Sequence, residues 1–320
     1  MKKKVIFIGS PAYSGSTMLD MMLANDLHGM SLGEIIRLML PHRKHHLQEI
    51  RQLSQTNEVW KKIIEEGADQ LYKNLFDTYS DVDFFVDSSK DVFWIRKQSN
   101  IIRNLGYEVC NVLLYKEPAD IAQSFAKRNR ASEWEKSWKN YYRLYFTLID
   151  EPIIISYKNL TSDPQQSLCL LCEKLNIPFF EDKHHFWNKE HNTFFGNDRT
   201  RFHLKNVHLS GKSEVAVTQE NKYQTIYYLP CQDPHIIEKV NKRGAKNPNL
   251  NKIWNVLKSR EIFLPSQQKN PINGITMNRV EIWVRKLKRV WMYFTFRYTY
   301  FFQALVGIKK FYENYLESTG

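Results

Sequence analysis

The sequence predicts an α/β fold: a parallel sheet with helices on both faces, followed by a basic aromatic helix toward the C-terminal end. Three observations predict it. Four short runs, Val5 to Ile8, Phe84 to Val86, Val109 to Leu114 and Ile153 to Ile155, are rich in branched and aromatic residues with little polar alternation, the pattern of strands covered on both faces. Each run is followed by apolar residues at helical spacing, and strands alternating with helices on this scale form parallel sheets. The first run ends at Gly9, in a loop that opens a helix, so the carboxyl end of the sheet, where such sheets bind ligands, falls beside a turn rich in glycine and serine.

In chain order, Val5 to Ile8 is the first predicted strand, and Met18, Met21, Met22 and Ala24 mark a helix behind it. Residues 45 to 76 look helical and polar, an insertion before the strand at Phe84. Asp163 and Pro164 announce a helix start, with an acidic cap and a proline in the first turn. Between 205 and 275 the pattern weakens and little is assigned. From Asn278 onward the chain turns basic and aromatic. The division expected is one domain over residues 1–275 and a tail over 276–320, without internal repeats.

Composition bounds the function. Apolar residues at 42% and charged residues at 25% are ordinary for a globular chain, which argues against disorder and against a wholly membrane-embedded protein. The 46 basic residues against 34 acidic ones leave a net charge of +12, suited to nucleotides, phospholipid surfaces or nucleic acid, or carried simply as solvated surface. Basic residues are dispersed and no nucleic-acid reading module is visible, so nucleic acid is not expected as a partner. Cys110, Cys169, Cys172 and Cys231 are too few for a disulfide framework, which fits a cytoplasmic location. Cys169 and Cys172 read as buried thiols on one helix face. MKKKVIFIGS has an apolar run too short for a signal peptide and reads as a strand.

The segment G9-S-P-A-Y-S-G-S-T17 joins a buried strand to a helix, the arrangement that aims backbone N–H groups and the positive helix end at a phosphate. In G-x-x-x-x-G-K-[ST] loops a lysine reaches the outer phosphates. Here five residues separate Gly9 from Gly15, and Ser16 stands in the lysine place, so a metal triphosphate is poorly served. Ser14, Gly15, Ser16 and Thr17 resemble the 5′-phosphosulfate loop, [RK]-[ST]-G-[ST]-T, of sulfotransferases that use PAPS (3′-phosphoadenosine 5′-phosphosulfate), bacterial type, with features similar to the protein-tyrosine branch. Tyr13 departs from that pattern, holding a place where a cation is common.

Further segments carry the same resemblance in order. V86-D-S-S-K-D91 follows a strand; Asp87, Ser88 or Ser89 can cap the next helix while Lys90 points into the crevice. L113-L-Y-K-E-P to R128 is similar to the family's 3′-phosphate segment, which makes Lys116, Ser124 and Arg128 the phosphate contacts; their spacing of about two helical turns and then one puts them on one side. Y157-K-N-L-T-S-D-P with L175-N-I-P resembles a packing segment of the family. H191-N-T-F-F-G-N-D-R-T-R201 is similar to a loop that closes over the nucleotide and assigns Gly196, Asn197 and Arg199 to it, with Asp198 where a proline is usual. Five ordered partial matches cover about residues 4 to 201.

The resemblance implies a P-loop-type sheet, PAPS as co-substrate, adenosine 3′,5′-bisphosphate (PAP) as product, an acceptor hydroxyl or amine, in-line displacement and no metal. It makes Lys90 the cation at the leaving oxygen and Glu34, in S31-L-G-E-I, the base. Glu34 can equally be a first-turn helix carboxylate, and His28, His42, His45, His46 and His191 stay open as bases. A P-loop kinase or NTPase, and a catalytically silent nucleotide-binding membrane-associated protein, are the alternatives. In the tail, Trp283, Leu287, Val290, Phe294 and Tyr298 fall at helical spacing; residues 279–310 suit an anionic membrane surface, or packing against protein.

Overall fold

The computed structural model describes residues 2–191, 193–196, 200, 230–264, 271–272 and 274–296. These fall into two compact units, one of residues 1–35 and 69–277, the other of 36–68 and 278–320.

The first unit is an α/β sheet. Its strands β1 (Lys4–Gly9), β2 (Gly29–Gly33), β3 (Phe84–Asp87), β4 (Glu108–Tyr115) and β5 (Ile153–Ser156) run in the order β2-β3-β1-β4-β5. Every pairing is parallel, with Val5 opposite both Phe85 and Val109. β1 is therefore the central strand, and the loops leaving β1, β3 and β4 emerge side by side at the carboxyl edge.

Helices cover both faces. Ile6, Ile8, Phe84, Val86, Val112, Leu114 and Ile155 pack with α1 (Ser16–Ala24), α9 (Tyr157–Ser162) and α10 (Pro164–Leu175). The alternate positions turn the other way: Phe7 meets Tyr72 edge-on at 5.8 Å and Phe85 meets Phe76 at 4.7 Å, both partners on α5 (Leu71–Thr78). α6 (Val92–Asn104), α7 (Pro118–Ala126) and α8 (Trp134–Leu148) complete the sequence of crossovers. Each fully buried branched or aromatic side chain in these layers contributes about 1.5–3 kcal/mol. α1 is buried all round, as expected of a helix whose apolar residues are not confined to one stripe.

Three expectations need correction. β2 lies between the first helix and the 45–76 insertion; its sequence GMSLG lacks an apolar run, and its register shifts between Ser31 and Gly33. The insertion is not polar throughout, because α5 buries Leu71, Tyr72, Leu75 and Phe76. Beyond residue 230, where little was expected, α11 (Pro234–Lys246) and α12 (Pro248–Ser259) form, each with proline in its first turn, and Asp233 caps α11 through the amides of His235 and Ile236. Glu261 then docks the chain on the sheet: its carboxylate accepts from the Tyr115 hydroxyl at 2.8 Å, Ser156 N at 2.9 Å and Asn159 Nδ2 at 2.7 Å. Burial and that carboxylate push the Tyr115 phenol well above its usual range.

The second unit holds α2 (Ile36–Met39), α3 (Lys44–Thr56), α4 (Glu58–Glu66) and the helix α13 at 279–296. Asn57 caps α4 by accepting from Trp60 N, and Trp60 and Ile63 are buried. The His42 ring meets Tyr293 edge-on at 5.9 Å.

Candidate functional site

The site is built at the carboxyl ends of β1, β3 and β4. Gly9 ends β1, and the chain reaches α1 through two left-handed positions, Tyr13 (φ +69°) and Gly15 (φ +92°). At Gly15 a side chain would strike the Tyr157 ring, so the residue must be glycine on both conformational and steric grounds. No side chain caps α1, and its first turn carries no acidic residue. A helix start leaves its first amides without intrahelical partners. Two hydroxyls of the loop, Ser10 Oγ and Ser14 Oγ, are buried with no hydrogen-bond partner among the described residues. Buried polar groups are ordinarily hydrogen-bonded, to protein, water or a ligand.

On one side of the loop stands Lys90. Its Nζ donates to Glu34 Oε1 at 2.6 Å and to Ser16 Oγ at 3.2 Å, with both charged side chains less than a fifth exposed. The backbone at Lys90 is itself left-handed (φ +64°), which costs a non-glycine residue about 1 kcal/mol or more, and the Tyr141 hydroxyl braces it by donating to the Lys90 carbonyl at 2.9 Å. Glu34 follows β2, and its amide donates to the Phe194 carbonyl at 2.7 Å.

On the other side are the residues after β4. Lys116 Nζ lies 3.4 Å from Ser124 Oγ and 4.5 Å over the Tyr157 ring, and burial lowers its proton affinity. Arg128 donates to the Ser124 carbonyl at 2.7 Å and stacks 4.1 Å over the Tyr13 ring. Arg130 donates to the Tyr13 hydroxyl at 3.2 Å. The position that lacks a cation in sequence thus has two guanidinium groups brought to it from the turn that follows α7.

A third segment closes in from beyond α10. Phe194 bridges Gly33, and a Cβ built on Gly196 would stand 3.0 Å from the Thr17 side chain. Asn197 and Arg199, with Arg201, lie outside the described residues.

The structure corrects several site readings. Asp91, rather than Asp87, Ser88 or Ser89, caps α6, accepting from Trp94 N at 2.8 Å. Ser88 instead donates to Asp20 at 2.5 Å, and Asp87 is held inside by the Tyr72 hydroxyl at 2.6 Å and Trp94 Nε1 at 2.9 Å. His191 is buried against the Phe186 carbonyl at 2.8 Å, and burial takes its ring down to about 4. His28 is engaged by the Asp81 carbonyl at 2.8 Å. Cys172 is buried, but Cys169 is exposed, so the two thiols do not share a buried face.

Sequence reasoning missed Asp20. It sits on α1 one turn beyond Ser16, wholly buried, and burial raises its carboxyl to about 7. The signal available was a carboxylate among Met18, Leu19, Met21 and Met22.

No family model matches the chain, and no curated protein is significantly similar to it. Among solved structures it is similar to a sulfotransferase domain from the curacin biosynthetic pathway (18% identity, 71% of this chain and 99% of that one, TM-score 0.46). It is also similar to the sulfotransferase domain of the Synechococcus PCC 7002 olefin synthase, at 20% identity over 72% of this chain and 98% of that one, with a TM-score of 0.48.

Proposed function

We propose that the chain is a sulfotransferase that moves a sulfuryl group from PAPS to an acceptor hydroxyl or amine. One observation carries the reading: residues 13–17 touch both cation groups at once, Ser16 meeting Lys90 and Tyr13 meeting Arg128, with Gly15 against the Tyr157 ring that Lys116 covers. A nucleotide with phosphates at both ends of its ribose needs two such anion sites side by side. The buried unpartnered hydroxyls of Ser10 and Ser14 and the uncapped start of α1 fit an anion at the loop.

In this reading Ser14, Gly15, Ser16 and Thr17 hold the 5′-phosphosulfate, and Tyr13 keeps Arg128 in place. Lys116, Ser124 and Arg128 hold the 3′-phosphate. Gly196 lies over Thr17, and Asn197 and Arg199 continue the same loop. PAPS supplies the sulfuryl group. Glu34 takes the acceptor's proton as the new bond to sulfur forms, and Lys90 meets the negative charge left on the phosphate oxygen when the old S–O bond breaks. For both steps Lys90 must exchange Glu34 for that oxygen, which also frees the carboxylate to accept the proton.

The test is thermal. PAP should raise the unfolding temperature while ATP with magnesium does not; ligand at a hundred times its Kd stabilises by about 2.7 kcal/mol. Equal shifts from both nucleotides would favour the kinase-like alternative.

The reading extends to an anionic membrane surface as a partner. On α13, Val280, Trp283, Val284, Leu287, Val290, Trp291 and Phe294 share one helical stripe, and each is more than a third exposed. Arg279, Arg285, Lys286, Lys288 and Arg289 stand around it against the single acid Glu281. No helix among the described residues is long and apolar enough to cross a membrane. An apolar stripe edged by cations instead suits the interface plane; residues 297–310 lie outside the described part. Trp283→Asp with Trp291→Asp should abolish sedimentation with phosphatidylserine vesicles, and undiminished sedimentation would remove this partner.

A further inference from the structure

The turn that joins α10 to the closing segment carries a cluster the proposed reaction does not use. One carboxylate oxygen of Asp182 and one ring nitrogen each of His184 and His185 lie within 4.8 Å of one another. We propose that this turn binds a divalent transition-metal ion of the zinc class through Asp182, His184 and His185.

The spacing suits such an ion. Bonds of about 2.0–2.1 Å place the donors of a tetrahedral zinc site about 3.3–3.4 Å apart. Asp182 Oδ1 and His185 Nδ1 are already 3.3 Å apart. The two imidazoles stand with centroids 4.0 Å apart, and one nitrogen of each lies within 4.8 Å of the other and of the carboxylate, so the three side chains can supply three corners of a tetrahedron. Nδ1 of His184 is buried without a hydrogen-bond partner among the described residues. A buried ring nitrogen with no partner is a second, independent observation consistent with a ligand at this turn. The fourth corner is left to water.

The turn is preorganised by what lies beneath it. Asp182 is left-handed (φ +64°), its carbonyl accepts from His185 N at 2.7 Å, and Lys183 N donates to the Phe180 carbonyl at 3.2 Å. The intervening Lys183 points inward and is fully buried, donating to the Asn25 carbonyl at 3.0 Å and to Asp26 Oδ2 at 3.2 Å, while Asn25 Nδ2 donates back to the Lys183 carbonyl at 2.7 Å. One residue is thus pinned under the C-terminal end of α1 while its neighbours on both sides gather outside. Two imidazoles and one carboxylate select zinc, nickel or copper ions over magnesium or calcium, which prefer all-oxygen sets. The other histidine group, His42, His45 and His46, is a poorer host, because Arg37 Nη1 stands 3.2 Å from His42 Nδ1 where an ion would meet a positive charge.

The ion would tie the chain just before Lys189 and Phe194, which contact the last residue of α1, Ala24, and Gly33, so binding should stabilise the fold without joining the transfer chemistry. The test titrates ZnCl2 into the full chain, carrying no polyhistidine tag, by calorimetry. One ion per chain with a micromolar Kd is expected, and MgCl2 should give no heat. Asp182→Asn, His184→Gln and His185→Gln should each weaken zinc binding about tenfold or more, and each should lose the zinc-induced rise in Tm. The double variant His45→Ala, His46→Ala should bind zinc as the wild type does. Absence of stoichiometric binding in the wild type, wild-type binding by His184→Gln, or loss of binding in the His45, His46 variant would each overturn the site. PAP-induced stabilisation, measured on the same variants, reports separately on folding and on the nucleotide reading.

Discussion

Lys90 Nζ and Glu34 Oε1 are 2.6 Å apart, an ion pair formed across the ends of β2 and β3 with Ser16 at the start of α1 as its third member. In the proposed reaction this pair must separate before either group can act. Its partners define what should follow when either is changed.

Lys90→Ala removes the cation proposed at the leaving oxygen. Turnover should fall by about 10²–10³, the usual cost of losing one preorganised charge-stabilising donor, while PAP affinity changes little. Single-turnover rates and PAP calorimetry on one preparation separate the two quantities. A variant with wild-type turnover would take Lys90 out of the chemistry.

Glu34→Gln keeps the shape but cannot accept a proton. The expected loss in kcat is about 10²–10⁴, with PAP binding equal or tighter because Lys90 no longer has a competing carboxylate. Loss of PAP binding with unchanged kcat would make Glu34 a structural partner of Lys90 only.

Arg128→Ala should act on binding. Losing a charged contact costs about 1.5–3 kcal/mol, so the PAP Kd should rise about tenfold or more while kcat at saturating PAPS stays near wild type. Tyr13→Ala should reproduce part of this loss, because the ring supports the guanidinium at 4.1 Å. A Tyr13 variant with unaltered PAP affinity would contradict that supporting role.

Asp20 predicts a pH dependence of stability. Its carboxyl ionises near 7 in the folded chain and near 3.8 in the unfolded one. Between those values the folded state holds the extra proton, so this group's stabilisation is present at pH 4 and is lost as pH rises through 7, by up to about 4 kcal/mol. Denaturant unfolding of Asp20→Asn should be flatter than wild type over that window, and parallel curves would refute the shift.

The strands at Val5, Phe84, Val109 and Ile153 were legible because burial on both faces leaves a continuous apolar signature. β2 was not, since in a five-residue strand with glycine at both ends the buried Met30 and Leu32 are separated by Ser31 and leave no continuous apolar run. α11 and α12 had signals, Asp233-Pro234 and Asn247-Pro248, lost in a polar stretch. At the candidate site, Lys90, Ser16 and Glu34 stood out by motif, and their side chains are neighbours in the structure, whereas Tyr13 looked like a missing charge. Its compensation comes from Arg128 and Arg130, more than a hundred residues away, through contacts that no local spacing encodes.

The most direct measurement is a crystal structure of the chain soaked with PAP. The 5′-phosphate should lie on the amides of residues 14–17, with Lys90 turned from Glu34 toward it, and the 3′-phosphate should lie between Lys116, Ser124 and Arg128. Nucleotide density elsewhere, or none at saturating PAP, would contradict the two-anion site on which the proposed transfer depends.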